Sequence, residues 1–160
     1  MIAVPNIRLV SAASLLALWV GAAALVAAVV APAAFAVLPT RALAGALVGR
    51  VLPTVFVAGI VVGLGAALLA WGGGPFARAR IALPLVAAGA CLVAQFVITP
   101  RIHRLRAEIG PSIEALAATD PRRVQFGRLH GISVAWMGAG MLAAGVALVL
   151  TVLAARKVSS

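Results

Sequence analysis

Lys, Arg, Asp and Glu are absent from four long stretches of the chain: Leu9–Thr40, Val51–Ala77, Ile81–Pro100 and Leu129–Ala155. All 13 Lys and Arg and all three acidic residues fall in the gaps between them or at the ends. An apolar helix of about 20 residues, rising about 1.5 Å each, crosses the roughly 30 Å hydrocarbon layer of a bilayer. Each stretch is long enough. In lipid a spanning segment satisfies its own backbone hydrogen bonds, which selects α-helices over loops and open strands. The chain therefore reads as an all-α integral membrane protein, a four-transmembrane-helix bundle forming a single domain over residues 1–160.

The formal net charge of +10 does not make this a nucleic-acid binder. Such proteins gather basic residues on one soluble face. Here they flank apolar spans, where positive charge sets topology and meets anionic head groups. The lipid bilayer is the first partner, followed by a further copy of the chain or another membrane protein. Cys91, the single cysteine, lies inside the third span and has no cysteine to pair with in the chain. Ala34-Phe35-Ala36 mimics a signal-peptide cleavage site. The run from Leu9 to Ala31 exceeds the roughly 7–15 apolar residues of such peptides, so it is read as a retained first helix.

Proline and glycine punctuate the spans. The pattern predicts helices at about 9–31, 51–71, 81–99 and 129–155, with a polar connector at 100–128. Pro32 is expected to end the first helix and Pro100 to follow the third. Pro53 falls in the predicted first turn of the second, and Trp71 suits an interfacial aromatic belt. Thr40 is a candidate cap for a helical approach to the second span. Gly72-Gly73-Gly74-Pro75 predicts a turn, and Gly110-Pro111 and Asp120-Pro121 are helix-start signals. The two halves share punctuation: Val30-Ala31-Pro32 against Ile98-Thr99-Pro100, and Val48-Gly49-Arg50-Val51 against Phe126-Gly127-Arg128-Leu129. This suggests a duplicated helical hairpin.

Eight basic residues flank the side reached after spans one and three: Arg41, Arg50, Arg101, Arg104, Arg106, Arg122, Arg123 and Arg128. Five flank the other: Arg8, Arg78, Arg80, Arg156 and Lys157. The excess favours the first side as cytoplasmic, with both termini outside.

Small residues recur every fourth position along the fourth span, at Gly127, Gly131, Ala135, Ala139, Ala143, Ala147, Thr151 and Ala155. Together with Gly59, Gly63 and Ala67 in the second span and Ala13, Ala17 and Gly21 in the first, they predict close helix packing, within the monomer or between copies. His103 and His130 flank the connector at one membrane face, and Ser133, Met137 and Met141 follow His130 at helical spacing. Histidine with methionine suits Cu(I), and two histidines suit haem, but each needs more than this pair. An interfacial histidine bonded to the connector is the simpler reading, and no metal or cofactor is implied. The spans hold no acidic residue of the kind that cation-coupled transporters use. Nor does the sequence carry a nucleophile–base pair, a phosphate loop or a ligand cluster, so no enzymatic activity is expected.

Three segments resemble the transmembrane protein 205-like family, whose bacterial members form domain of unknown function 4149. They are Ala44-Gly45-Ala46-Leu47-Val48-Gly49-Arg50-Val51-Leu52-Pro53, Thr99-Pro100-Arg101, and Phe126-Gly127-Arg128-Leu129-His130-Gly131-Ile132-Ser133. The last matches the family's aromatic-x-Arg-x-His-Gly-x-Ser pattern. Many members carry an asparagine beyond that serine, where Trp136 and Met137 stand here. The resemblance implies a four-helix domain in a bacterial inner membrane, with no established biochemical activity. It marks Arg128, His130, Gly131 and Ser133, with Pro100 and Arg101, as pattern residues. These are expected to gather where the third and fourth helices meet, as a ligand or partner site. Two functions follow as expectations: an accessory, helix-packing component of a membrane assembly, or a small-ligand, copper or haem protein using His130.

Overall fold

The computed structural model describes residues 6–110 and 112–158. Four long helices carry the chain: α1 (Ile7–Val37), α2 (Arg41–Leu69), α3 (Ala77–Ile109) and α4 (Pro121–Val158). Among the described residues there is no strand. All four are long and apolar enough to cross a membrane, which fits a multi-pass membrane protein.

The predicted spans are present, but their ends lie elsewhere. Pro32 does not end α1 and Pro100 does not close α3. In each case the helix widens into one π-helical turn just before the proline, at Val26–Val30 and Ala94–Ile98, and then continues. Proline lacks an N–H and its ring crowds the preceding turn. Ending the helix would leave further backbone groups unpaired, whereas a π-turn accommodates the ring and keeps the ladder running. The N–H of Ala31 reaches back to the Val26 carbonyl, and that of Thr99 to the Ala94 carbonyl. The Thr99 hydroxyl donates to the same Ala94 oxygen at 2.9 Å. The equivalent turns strengthen the likeness between the two hairpins.

Most of the expected connector is helical as well. α3 runs on to Ile109 and α4 begins at Pro121, leaving a short link with a 3-10 turn at Ile113–Ala115. α2 likewise starts ten residues early, so Pro53 sits in a helix interior rather than a first turn. Thr40 caps it as expected, accepting the Leu43 N–H at 3.2 Å. Asp120 caps α4, accepting the Arg122 N–H at 2.8 Å. Gly110 instead terminates α3 with φ 88°, and Pro111 lies outside the described residues. At the other face, the turn from Trp71 to Phe76 uses Gly72 and Gly74 at positive φ.

The helices form a ring in chain order. α1 packs on α2 and α4, and α3 packs on the same two. Their buried positions alternate steps of three and four: Leu9, Ala12, Leu16, Trp19 and Ala23 in α1, and Phe56, Gly59, Gly63 and Ala66 in α2, with Ala70 just past its end. α3 continues it with Arg80, Pro84, Ala87, Cys91, Ala94 and Ile98, and α4 with Ser133, Met137, Gly140, Ala144, Ala147, Thr151 and Ala154. This 3.5-residue repeat belongs to left-handed bundles. The interior is rich in Ala and Gly, while Leu18, Val61, Leu68 and Leu142 face outward. Small side chains inside permit close backbone approach, and large apolar ones outside suit lipid.

Trp19 is one of the large side chains buried in the bundle, with Phe56. Its indole N–H donates to the Val55 carbonyl at 2.9 Å, inside the bundle. Glycine provides the space: a Cβ on Gly59 would meet the Trp19 ring at 2.7 Å and Cys91 Sγ at 2.6 Å. Gly63 lets α2 touch the backbone of α3, where a Cβ would stand 2.5 Å from the Pro84 carbonyl oxygen.

Candidate functional site

At the connector face the helix ends enclose an open cavity of about 430 Å³. α1 contributes Phe35, α2 Arg41, α3 Arg106, and α4 Phe126 and His130, with Glu114 from the link. Apart from Glu114, each is carried there by the end of a helix. Arg106 stands on the polar continuation of α3, two turns past Pro100. Its guanidinium presses on the backbone of α2 at Gly45, where any Cβ would collide with it. On the other side it lies 5.4 Å from the centroid of the Phe126 ring, within cation–π range. Phe126 and His130, one turn apart on α4, lie nearly parallel at 6.4 Å. Arginine, phenylalanine and histidine thus form a continuous row across the cavity wall. Arg41 adds a second guanidinium, and Ile113, Ala42 and Ala46 supply apolar lining.

The expected cluster divides in this arrangement. His130 lines the cavity, whereas Arg101 belongs to a separate shallow groove with Arg104, Glu108 and Gln125. Arg128 and Gly131 point outward from α4, and Pro100 is half-buried within α3. Ser133 is buried between helices, one turn below His130. His103 is exposed on α3 and does not line the cavity. Among the described residues no group of three or more His, Cys, Asp and Glu side chains could hold a metal ion.

The row of small residues also divides. Ala143, Ala147 and Thr151 are buried, as are Gly59 and Gly63, but Gly127, Gly131, Ala135 and Ala139 are exposed. Gly131 has no atom of a neighbouring helix within 4 Å of where its Cβ would be. In α1, Ala17 and Gly21 are exposed and Ala13 is half-buried. The reason is geometric. Steps of four residues advance about 400°, so such a row drifts about 40° per step and winds around its helix. Alternating steps of three and four hold a face much longer.

Glu114 was not singled out from sequence, Arg41 and Arg106 entered only as flanking charges, and Phe126 only as the aromatic of the α4 motif. The trace of Arg106 is Gly45, a residue without a side chain inside a helix, whose meaning depends on a partner far along the chain. The Phe126–His130 spacing was visible, but not what would pack across it.

A family model described as domain of unknown function (DUF4149) matches residues 14–111. The matched segment covers most of α1 and all of α2 and α3, and stops before the Phe126–Ser133 motif on α4. No curated protein and no solved structure matches the chain.

Proposed function

Because the chain belongs to the domain of unknown function 4149 family, a description that carries no activity, we propose a function from its own geometry. It is a non-enzymatic, multi-pass protein of the bacterial inner membrane, of the transmembrane protein 205-like type, that recognises an anionic amphiphile at its connector face. The Phe126–Ser133 motif supports the finer family placement. The carrying observation is the cavity in which Arg41 and Arg106 stand among Phe35, Phe126 and Ile113, with His130 at the end of the row. Guanidinium groups provide paired donors for a phosphate or carboxylate head. The aromatic and aliphatic walls suit a hydrocarbon tail. The described cavity walls carry no Ser, Thr, Cys or Lys side chain, and their two guanidinium groups outnumber the single carboxylate, Glu114, which supports recognition of an anion.

Dodecyl phosphate and dodecanol, titrated calorimetrically into the protein in a neutral detergent, provide the test. Dodecyl phosphate is expected to bind more tightly, and Arg106→Gln to weaken it about ten-fold, in line with about 1.5–3 kcal/mol for a hydrogen bond to a charged group. Equal binding of both amphiphiles, or unchanged binding by a folded Arg106→Gln protein, overturns the reading.

A second reading is supported by the outward half of the α4 row. Gly127, Gly131, Ala135 and Ala139 leave that side of the helix thin and open to a partner helix. On this reading the protein is an accessory component of a membrane assembly or a homo-oligomer.

A further inference from the structure

The opposite membrane face holds a buried arginine without a counterion. Arg80, near the start of α3, is only 2% exposed. Its Nη2 donates to the Gly73 carbonyl at 3.1 Å, while its Nε is buried with no partner. The ion pair Arg122–Asp120 lies at the other end of the bundle. All three acidic residues of the chain, Glu108, Glu114 and Asp120, belong to the other end of the bundle. Among the described residues no acidic side chain lies on this face to balance the charge.

Burying an ion is costly unless a partner and hydrogen bonds compensate. Arg78 and Arg80 lie close to the N-terminus of α3, the positive end of the helix dipole, and its first turn has no acidic residue. Arg80 also borders a cavity of about 200 Å³, together with Arg8, Trp71 and Gly73. Arg8 is held there by donating its Nη2 to the Leu68 carbonyl at 3.2 Å, at the end of α2. The cavity lies where α1 and α3 begin and α2 and α4 end. Leu9 and Leu69 give it apolar walls, and Trp71 is exposed beside it. A buried guanidinium, a second at the rim, and an aromatic at interfacial depth describe a receptor for an oxyanion at head-group level.

We propose that Arg80 and Arg8 bind a phosphate group in this cavity, on the membrane face opposite the connector. Arg80 provides the buried charge and Arg8 closes the open side. The phosphate belongs either to an anionic phospholipid or to free phosphate, and both present the same oxygens to the guanidinium groups.

Native mass spectrometry and thermal melting of the full chain in a neutral detergent test this. Phosphatidylglycerol, phosphatidylcholine and inorganic phosphate are added separately. Phosphatidylglycerol retained at least ten-fold better than phosphatidylcholine, with a higher melting temperature, supports a lipid phosphate. A comparable response to millimolar inorganic phosphate supports the free ion. Arg80→Gln is expected to abolish the preference, and Arg8→Gln to reduce it several-fold. Because Arg80 also ties the Gly72–Gly74 turn, its variant can fail to fold, and Arg8→Gln, at an exposed position, then decides. The proposal is overturned if wild-type protein responds to neither phosphatidylglycerol nor phosphate beyond its response to phosphatidylcholine. Wild-type selectivity in folded Arg80→Gln, or in Arg8→Gln, overturns it too.

Discussion

Two classes of glycine share the transmembrane helices and oppose each other energetically. Gly59 and Gly63 make room, the first for the Trp19 ring and the second for the α3 backbone. Gly131 makes room for nothing within the monomer. A methyl group at Gly59 or Gly63 must displace an indole or a backbone carbonyl, a form of overpacking that costs about 1–3 kcal/mol. At Gly131 a methyl group meets no neighbour and removes a weak helix former, a gain of up to about 1 kcal/mol. We therefore expect Gly59→Ala and Gly63→Ala to lower the melting temperature in detergent, and Gly131→Ala to leave it unchanged or raise it. Gly131→Leu should also leave the monomer intact while weakening any association through that face, measured by cross-linking in membranes. A destabilised Gly131→Ala monomer would contradict the outward placement. None of this difference is visible in the residue type. It is set by which glycines coincide with the 3.5-residue seam and which merely lie four residues from another small side chain.

At the scale of elements, the absence of charge located all four helices, but helix length depended on forces that local pattern does not express. Proline is a stop signal in water, where released carbonyls find solvent. In α1 and α3 it is bypassed through a π-turn, since lipid offers those carbonyls nothing. The connector was legible as polar, with Asp120-Pro121 marking a helix start, but the run of α3 on to Ile109 was not, because Pro100 reads as a stop. The amphipathic pairing of α3 beyond Pro100 with the start of α4 became clear only with both present. The caps were legible from sequence, and one of them predicts a pH response. The Asp120 carboxyl is held below the usual aspartate range, first by the side-chain hydrogen bond from Arg122 and then by the Arg122 backbone N–H. A folded value below the unfolded one gives stability that is full above the unfolded pKa and lost as pH falls through the folded pKa. Acidification below the ordinary aspartate range should therefore fray the start of α4. Amide exchange at Arg122 and Val124, corrected for intrinsic rates, should accelerate in that window. Asp120→Asn, which keeps an acceptor for the cap but lacks the ionisable carboxyl, should not show the acid step.

For the whole molecule, the ring order α1–α2–α3–α4 requires neighbouring helices to run antiparallel and places the two cavities at opposite faces. The connector-face cavity was half legible: His130 stood out, but Arg41 and Arg106 converge on it only because α2 and α3 extend beyond their apolar cores. Arg80 was legible only as one charge in a flanking count, and its burial arises from three other helix ends closing around it. The same counts bear on orientation. The connector side carries the larger share of Lys and Arg, which should hold it in the cytoplasm, although the strength of the bias depends on charges near the span ends. Reporter fusions at Gly73 and after Ser160 are expected to report one compartment, and fusions at Pro39 and Ser112 the other. Agreement within each pair fixes four crossings, and the identity of the compartments fixes the direction. Replacing Arg101, Arg104 and Arg123 with Gln would leave five basic residues on each side, so mixed orientation is then expected from the same reporters. A fully retained orientation in that variant would mean that helix packing, rather than the charge excess, sets the direction of insertion.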